Sequence, residues 1–150
     1  MNEKFYELPP EKQQRIINAG LEVFGAHDYP QASTDDMTAK AEISKGLLFY
    51  YFKNKKEFYL FLFDYCCEFF RSHVVTEDFI KITDFFDLME YAARIKYSII
   101  LQYPYMMNFV MKAYYSRREE VSEAMKTRIA STLGEIYTVY FKNIDFSRFK

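Results

Sequence analysis

Five lysines, at positions 40, 45, 53, 55 and 56, fall within residues 40–56, where Glu42 is the single acid. That window carries +4 in a chain whose net charge is −1. Ammonium groups at this density suit phosphate oxygens, which fix the position of a polyanion without reading its sequence. A cluster of solvated lysines is the competing reading. Other reactive side chains are arranged less productively. Cys66 and Cys67 are adjacent, so on a helix they point about 100° apart, and no Cys or His lies three or four residues from either. Core packing is therefore expected for both, and no metal site. His27 and His73 stand alone, and the chain has no Gly-rich phosphate loop, no GxSxG and no metal-spaced His/Glu pair. The expectation is a protein without enzymatic activity, cofactor or metal.

The elements that carry these groups read as helices. Gly and Pro number only 4 each, against 16 Phe and 14 Tyr, which points to long elements around an aromatic-rich core and argues against both a turn-rich sandwich and a disordered chain. The near-balance of 20 basic and 21 acidic residues excludes a whole-chain field toward DNA or an anionic membrane. The N-terminus lacks the apolar run of a signal peptide, and the uncharged stretch 97–111 is too short for a span and contains Pro104. No membrane partner and a cytoplasmic location are expected, and the neighbouring cysteines cannot form a secreted disulfide framework.

A first helix is expected from Pro9-Pro10, with Ile16, Gly20, Val23 and Phe24 on one face and Ile17 and Leu21 beside them, ending near His27 with Asp28 as a left-handed C-cap. Ser33 with Asp36 opens a short second helix carrying Met37 and Ala41 inward. After a turn at Glu42-Ile43, Ser44 caps a third, in which Leu48 and Phe52 share a face. Two short helices joined by a tight turn behind a longer one are the plan of a helix-turn-helix DNA reader. On it, the outward side of the third helix offers Lys45, Gly46, Leu47 and Tyr50 to base edges: a lysine can donate to guanine, and a leucine can touch a thymine methyl. Lys45 and the lysines of 53–56, at helix N-termini, would hold phosphates. Asn54 caps a long fourth helix into the 70s. Further helices follow, one with the stripe Leu88, Ala92, Ile95, Ile99 ending at Tyr103-Pro104, and a last one after the capping box Ser116–Glu119, with the stripe Val121, Met125, Ile129, Leu133, Ile136 and Tyr140. About seven helices and no strand are expected.

The residues Ile16–Phe24, Tyr29, Ser33-Thr34, Met37, Ala41, Ile43–Gly46, Leu48–Phe52 and Lys53–Phe58 stand in an order and spacing that resembles the DNA-binding domain of the TetR family of transcriptional regulators. The likeness covers roughly the first 60 residues; beyond residue 75 it is one of architecture only. The resemblance implies an all-α fold, with a helix-turn-helix DNA-binding domain at 1–54 and a helical effector-binding and dimerisation region at 55–150. The family's further helices imply that the C-terminal part of that region is missing, leaving part of the last stripe, with Phe146 and Phe149, uncovered and prone to self-association.

The implied DNA-binding residues are Ser33, Thr34, Ser44, Lys45, Gly46, Leu47, Phe49, Tyr50, Tyr51, Lys53 and Lys55. The implied partners are a near-palindromic double-stranded DNA operator, a small apolar or amphipathic effector and a second copy in a homodimer, with repression as the usual outcome. Phe63, Phe70, Tyr91, Tyr97, Tyr103, Met106, Phe109 and Tyr114 are candidates to line the effector cavity, within an aromatic and methionine load that also includes Tyr105, Met107 and Met111; for each, core packing is the competing reading. The sequence departs from the family pattern at four places. Phe49 replaces a phosphate-binding tyrosine, Tyr51 a common histidine, Glu42 a turn glycine and Asp28 a helix-ending glycine. Asp35-Asp36 favours the helix dipole but repels phosphate. Phe49, Asp35 and Asp36 sustain a rival reading, an all-helical ligand-binding or scaffold protein of the same fold that has lost DNA binding.

Overall fold

The computed structural model describes residues 3–115, 121–147 and 149; the Ser116–Glu119 capping box lies outside them. Among the described residues the fold is all-α, with a 3₁₀ turn at Glu3–Phe5 followed by α1 (Pro10–Ala26), α2 (Thr34–Ala41), α3 (Lys45–Phe52), α4 (Lys55–Val74), α5 (Glu77–Ile80), α6 (Phe85–Gln102), α7 (Pro104–Tyr115) and α8 (Ser122–Tyr140). The short α5, capped by Thr76, is the element that the expected seven helices omit.

The helix starts follow local chemistry. Ser33 Oγ accepts from the Asp36 amide at 3.2 Å, Ser44 Oγ from the Leu47 amide at 3.1 Å and Asn54 Oδ1 from the Glu57 amide at 2.8 Å, each satisfying a donor that the helix cannot. The end of α1 departs from expectation. His27, not Asp28, ends it, in an extended conformation (φ −121°, ψ 154°) with its N–H on the Val23 carbonyl. Asp28 instead begins a turn of its own, its carbonyl accepting from the Gln31 and Ala32 amides at 3.0 and 2.9 Å. Among the described non-glycine residues, positive φ occurs at Glu42 (53°) and Lys53 (64°).

The main core joins α1–α4 to α7 and the start of α8, so it is continuous across residues 54 and 55. Phe24 of α1 and Tyr59 of α4 both meet Phe109 of α7, at ring separations of 6.1 and 4.9 Å. Burial there pushes the Tyr59 hydroxyl up to about 12, which keeps it neutral. Phe5, ahead of the first helix, is fully buried against Tyr51, Phe52 and Phe61. At Gly20 an added Cβ would lie 2.6 Å from both Leu62 Cδ1 and Phe58 Cζ, so α1 and α4 touch there without room for a side chain. A second, smaller cluster gathers Val74, Phe79, Leu88 and Ile144. The stripe of α8 divides. Val121 and Met125 are buried, Ile129, Ile136 and Tyr140 half-buried, and Leu133 is 52% exposed. Phe146 and Phe149 are also exposed. No helix among the described residues is long and apolar enough to cross a membrane.

Candidate nucleic-acid interface

α2 and α3 are anchored from beneath and open above. Met37, Ala41, Leu48 and Phe52 are buried in the main core, which leaves the opposite side of α3 to solvent. The turn between them is a Schellman closure: the Ile43 amide donates to Thr38 O at 3.0 Å and the Glu42 amide to Ala39 O at 3.2 Å. Glutamate pays a steric cost at this left-handed position that glycine avoids. Arg15, reaching from α1, holds it in place. Its Nε donates to Ala41 O at 2.9 Å and its NH1 pairs with Glu42 Oε2 at 3.2 Å. Removing this clamp with Arg15→Met is expected to lower the thermal midpoint by roughly 2–4 °C for each kcal/mol lost and to weaken DNA binding with it. Calorimetry beside a binding titration checks both; an unchanged midpoint would show that the turn needs no support from α1.

On the outward side, Ser44, Lys45, Gly46 and Tyr50 are present at or near the surface, Tyr50 at 49% exposure. Leu47 and Phe49 pack against the edge of the core, and Ser33 and Thr34 lie half-buried at the start of α2. Tyr51 is the correction: it is only 6% exposed, with its ring against Phe5, and belongs to the core instead of the outward face. The helical period places position 51 on the same inward arc as Leu48 and Phe52, which the aromatic run 49–52 conceals in sequence.

The lysine cluster is more neutralised than its sequence suggests. Lys40 donates to Glu22 Oε1 at 2.8 Å, and that bond, with the carboxylate's charge, raises the lysine's pKa. Lys45 Nζ contacts both oxygens of Asp35, at 3.0 and 3.2 Å. Lys55 turns back toward the loop before α2, lying 4.7 Å over the Tyr29 ring with Nζ 3.4 Å from Pro30 O. Lys53 is exposed. Gly46 adds a separate signal. A Cβ there would meet only Ser44 Oγ, at 4.0 Å, so nothing among the described residues requires glycine at a helical position where it costs about 1 kcal/mol relative to alanine. Bare backbone at this point suits a close approach from outside.

The candidate effector residues do not assemble as one set. Phe70 and Tyr114 line a cleft of about 530 Å³ between α4, α6, α7 and α8. Phe63, Met106 and Phe109 are buried in the main core, Tyr91 packs in the second cluster, Tyr103 lies against Phe69 and Tyr97 is 64% exposed. The cleft is otherwise lined by Met107, Val110 and Met111 of α7, Cys67 of α4, and Ile136, Val139 and Tyr140 of α8, among others. The helical period separates residues 107, 111 and 114 from the buried residues 106, 109 and 113, and this is the signal that would have sorted them. Burial pushes up the Tyr114 and Tyr140 hydroxyls and both thiols; Cys66 is fully buried, and Cys67 borders the cleft beside Thr132. Protonated thiols are poor nucleophiles, consistent with a packing role.

Residues 16–61 match the family described as bacterial regulatory proteins, tetR family. The likeness to the TetR family is carried by this N-terminal stretch. Over 47 residues the chain is 43% identical to the uncharacterized HTH-type transcriptional regulator TtgW of Pseudomonas putida, an alignment covering 31% of this chain and 35% of that protein. The TetR-type architecture extends beyond the domain: the chain superposes on a TetR family transcriptional regulator from Chloroflexus aurantiacus with a TM-score of 0.66 at 26% identity, over 91% of this chain and 66% of that one. The chain thus spans about a third of the first relative and just under two thirds of the second.

Proposed function

We propose that the chain is a ligand-responsive transcriptional regulator that binds a near-palindromic DNA operator as a homodimer and represses until a small apolar or amphipathic effector releases it. Residues 1–54 would read DNA, and 55–150 would hold the effector and contribute to the dimer. The observation that carries the reading is the outward face of α3, where Lys45, Gly46 and Tyr50 stand on a capped helix and a Cβ at the glycine would meet only Ser44 Oγ among the described residues. Ser33, Thr34, Ser44, Leu47, Phe49, Lys53 and Lys55 surround that face. Two such faces, one per protomer, would enter successive major grooves.

The cleft between α4, α6, α7 and α8 is of a size and lining suited to an apolar or amphipathic small molecule. An effector there would act by favouring one spacing of the two readers over the other, relayed through α4. The exposed side of α8, around Leu133 and Tyr137, offers one apolar surface for a second copy. Electrophoretic mobility shifts on a mixed pool of duplex DNA, at increasing salt, test the reading: retarded complexes that weaken with salt support it. Absence of any complex at low salt favours the second reading, a ligand-binding or scaffold protein of the same fold, whose specific support is the Asp35 carboxylate on Lys45 and the missing hydroxyl at Phe49.

Phe49→Tyr is expected to leave stability nearly unchanged and to tighten DNA binding, since it places a hydroxyl at the edge of the reader. A hydrogen bond to a charged partner contributes about 1.5–3 kcal/mol at best. Paired binding isotherms check it, and an unchanged affinity would assign the phosphate contact to Tyr50 instead.

A further inference from the structure

The Asp35–Lys45 pair joins the two helices of the reader at the surface proposed to meet DNA. Asp35 is in the first turn of α2 and Lys45 is the first residue of α3. Both side chains are largely exposed, yet both carboxylate oxygens lie on the ammonium, at 3.0 and 3.2 Å. As a stabilising contact such an exposed pair is worth little. Its position is what matters, because it puts a negative charge on a face whose partner would be a polyanion.

We infer that Asp35 is a specificity-determining residue of the reader: it holds Lys45 for base contact and opposes its use on the phosphate backbone. The inference rests on the DNA-binding reading above. A lysine ammonium has three donors and no acceptor. With Asp35 occupying one side of it, a remaining donor can reach an acceptor on a base edge beside Gly46 while the pair stays closed. A swing onto a phosphate requires leaving Asp35, and brings that carboxylate toward like charge. The pair therefore penalises backbone contact, which is common to all sequences, more than it penalises base contact, which is peculiar to the operator. Asp36, one residue along, provides the comparison: it has the same charge in the same helical turn, and the contact on Lys45 comes from Asp35.

The test uses the full chain and two probes: a duplex pool of random sequence, and the duplex that the unmodified chain enriches from that pool over repeated rounds of binding. For Asp35→Asn the affinity for the random pool should rise roughly five- to tenfold near 0.1 M salt, with the salt slope steeper by about 0.9, as one added phosphate contact requires. Affinity for the enriched duplex should rise less, so the ratio of the two falls. Asp36→Asn should leave the ratio unchanged, and in a Lys45→Ala background the effect of Asp35→Asn should vanish. Equal gains on both probes, or the same ratio change from Asp36→Asn, would overturn the inference and leave the DNA-binding reading standing. Absence of salt-sensitive binding by every protein tested would overturn that reading, and this inference with it. Circular dichroism of each variant separates loss of the helices from loss of the contact; Asp35→Ser retains a helix-starting residue without the charge and should reproduce the Asn result.

Discussion

Gly20→Val is expected to destabilise the whole chain by about 1–3 kcal/mol or more, the range for overfilling a packed core. The first atom of any side chain at this position would lie 2.6 Å from Leu62 Cδ1 and Phe58 Cζ. Both are terminal atoms, which elsewhere could swing aside, but Leu62 and Phe58 are themselves buried and Phe58 is hemmed by Phe24, Phe52 and Phe61. Relief must come from separating α1 from α4, and α1 is the support on which α2 sits while α3 rests on α4. Thermal and denaturant unfolding should both show the loss, with DNA binding falling as the folded fraction falls. Gly134→Ala provides the contrast. Nothing lies within 4 Å of a Cβ there, so the substitution should stabilise α8 by about 0.5–1 kcal/mol through backbone entropy alone. A Gly20→Val chain as stable as the parent would show that α1 and α4 are not in the close contact described.

Gly46→Leu should do the opposite: keep the fold and remove DNA binding. Leucine is a better helix former than glycine, and the space around position 46 within the protein is open, so melting should be unchanged or slightly raised. On the outside, the added side chain would stand between α3 and the groove, displacing both the Lys45 ammonium and the helix backbone from the base edges. The expected loss is at least roughly a hundredfold in affinity, equivalent to about 2.7 kcal/mol, because the close approach of the whole helix is lost along with single contacts. Gly46→Ala, which adds one methyl group, should fall between. A Gly46→Leu chain that still binds DNA at parental affinity would move the interface away from α3.

The helix starts and the α1 stripe were legible because they depend on neighbours within one or two turns. Ser33, Ser44 and Asn54 cap through bonds to amides three residues on, and the helical period of Ile16, Gly20, Val23 and Phe24 needs no tertiary knowledge. What was not legible depends on how helices cross. The pairing of Lys40 with Glu22 and of Lys45 with Asp35 joins residues 18 and 10 apart, and it turns a cluster of five lysines into a more nearly balanced surface. Tyr51 enters the DNA-binding set through the family resemblance alone, and because the run Phe49-Tyr50-Tyr51-Phe52 is aromatic on every side, composition does not reveal that its arc faces the core. The effector candidates scatter for a related reason. Large apolar side chains fill cores and line clefts alike, and only the packing of α7, with Met106 and Phe109 inward and Met107 and Tyr114 toward the cleft, separates the two roles. Phe5 carries no signal at all, since a lone aromatic in a charged segment fits an exposed terminus as well as a buried plug.

The most direct measurement is the fluorescence anisotropy of a labelled mixed-sequence duplex titrated with the unmodified chain and with Gly46→Leu across a salt series. The expected result is saturable binding by the unmodified chain whose log affinity falls linearly with log salt, by about 0.9 per phosphate engaged, and its loss in a Gly46→Leu chain of undiminished stability. Equal binding by both chains, or no salt-dependent binding by the unmodified one, would contradict the assignment of α2 and α3 as a DNA reader.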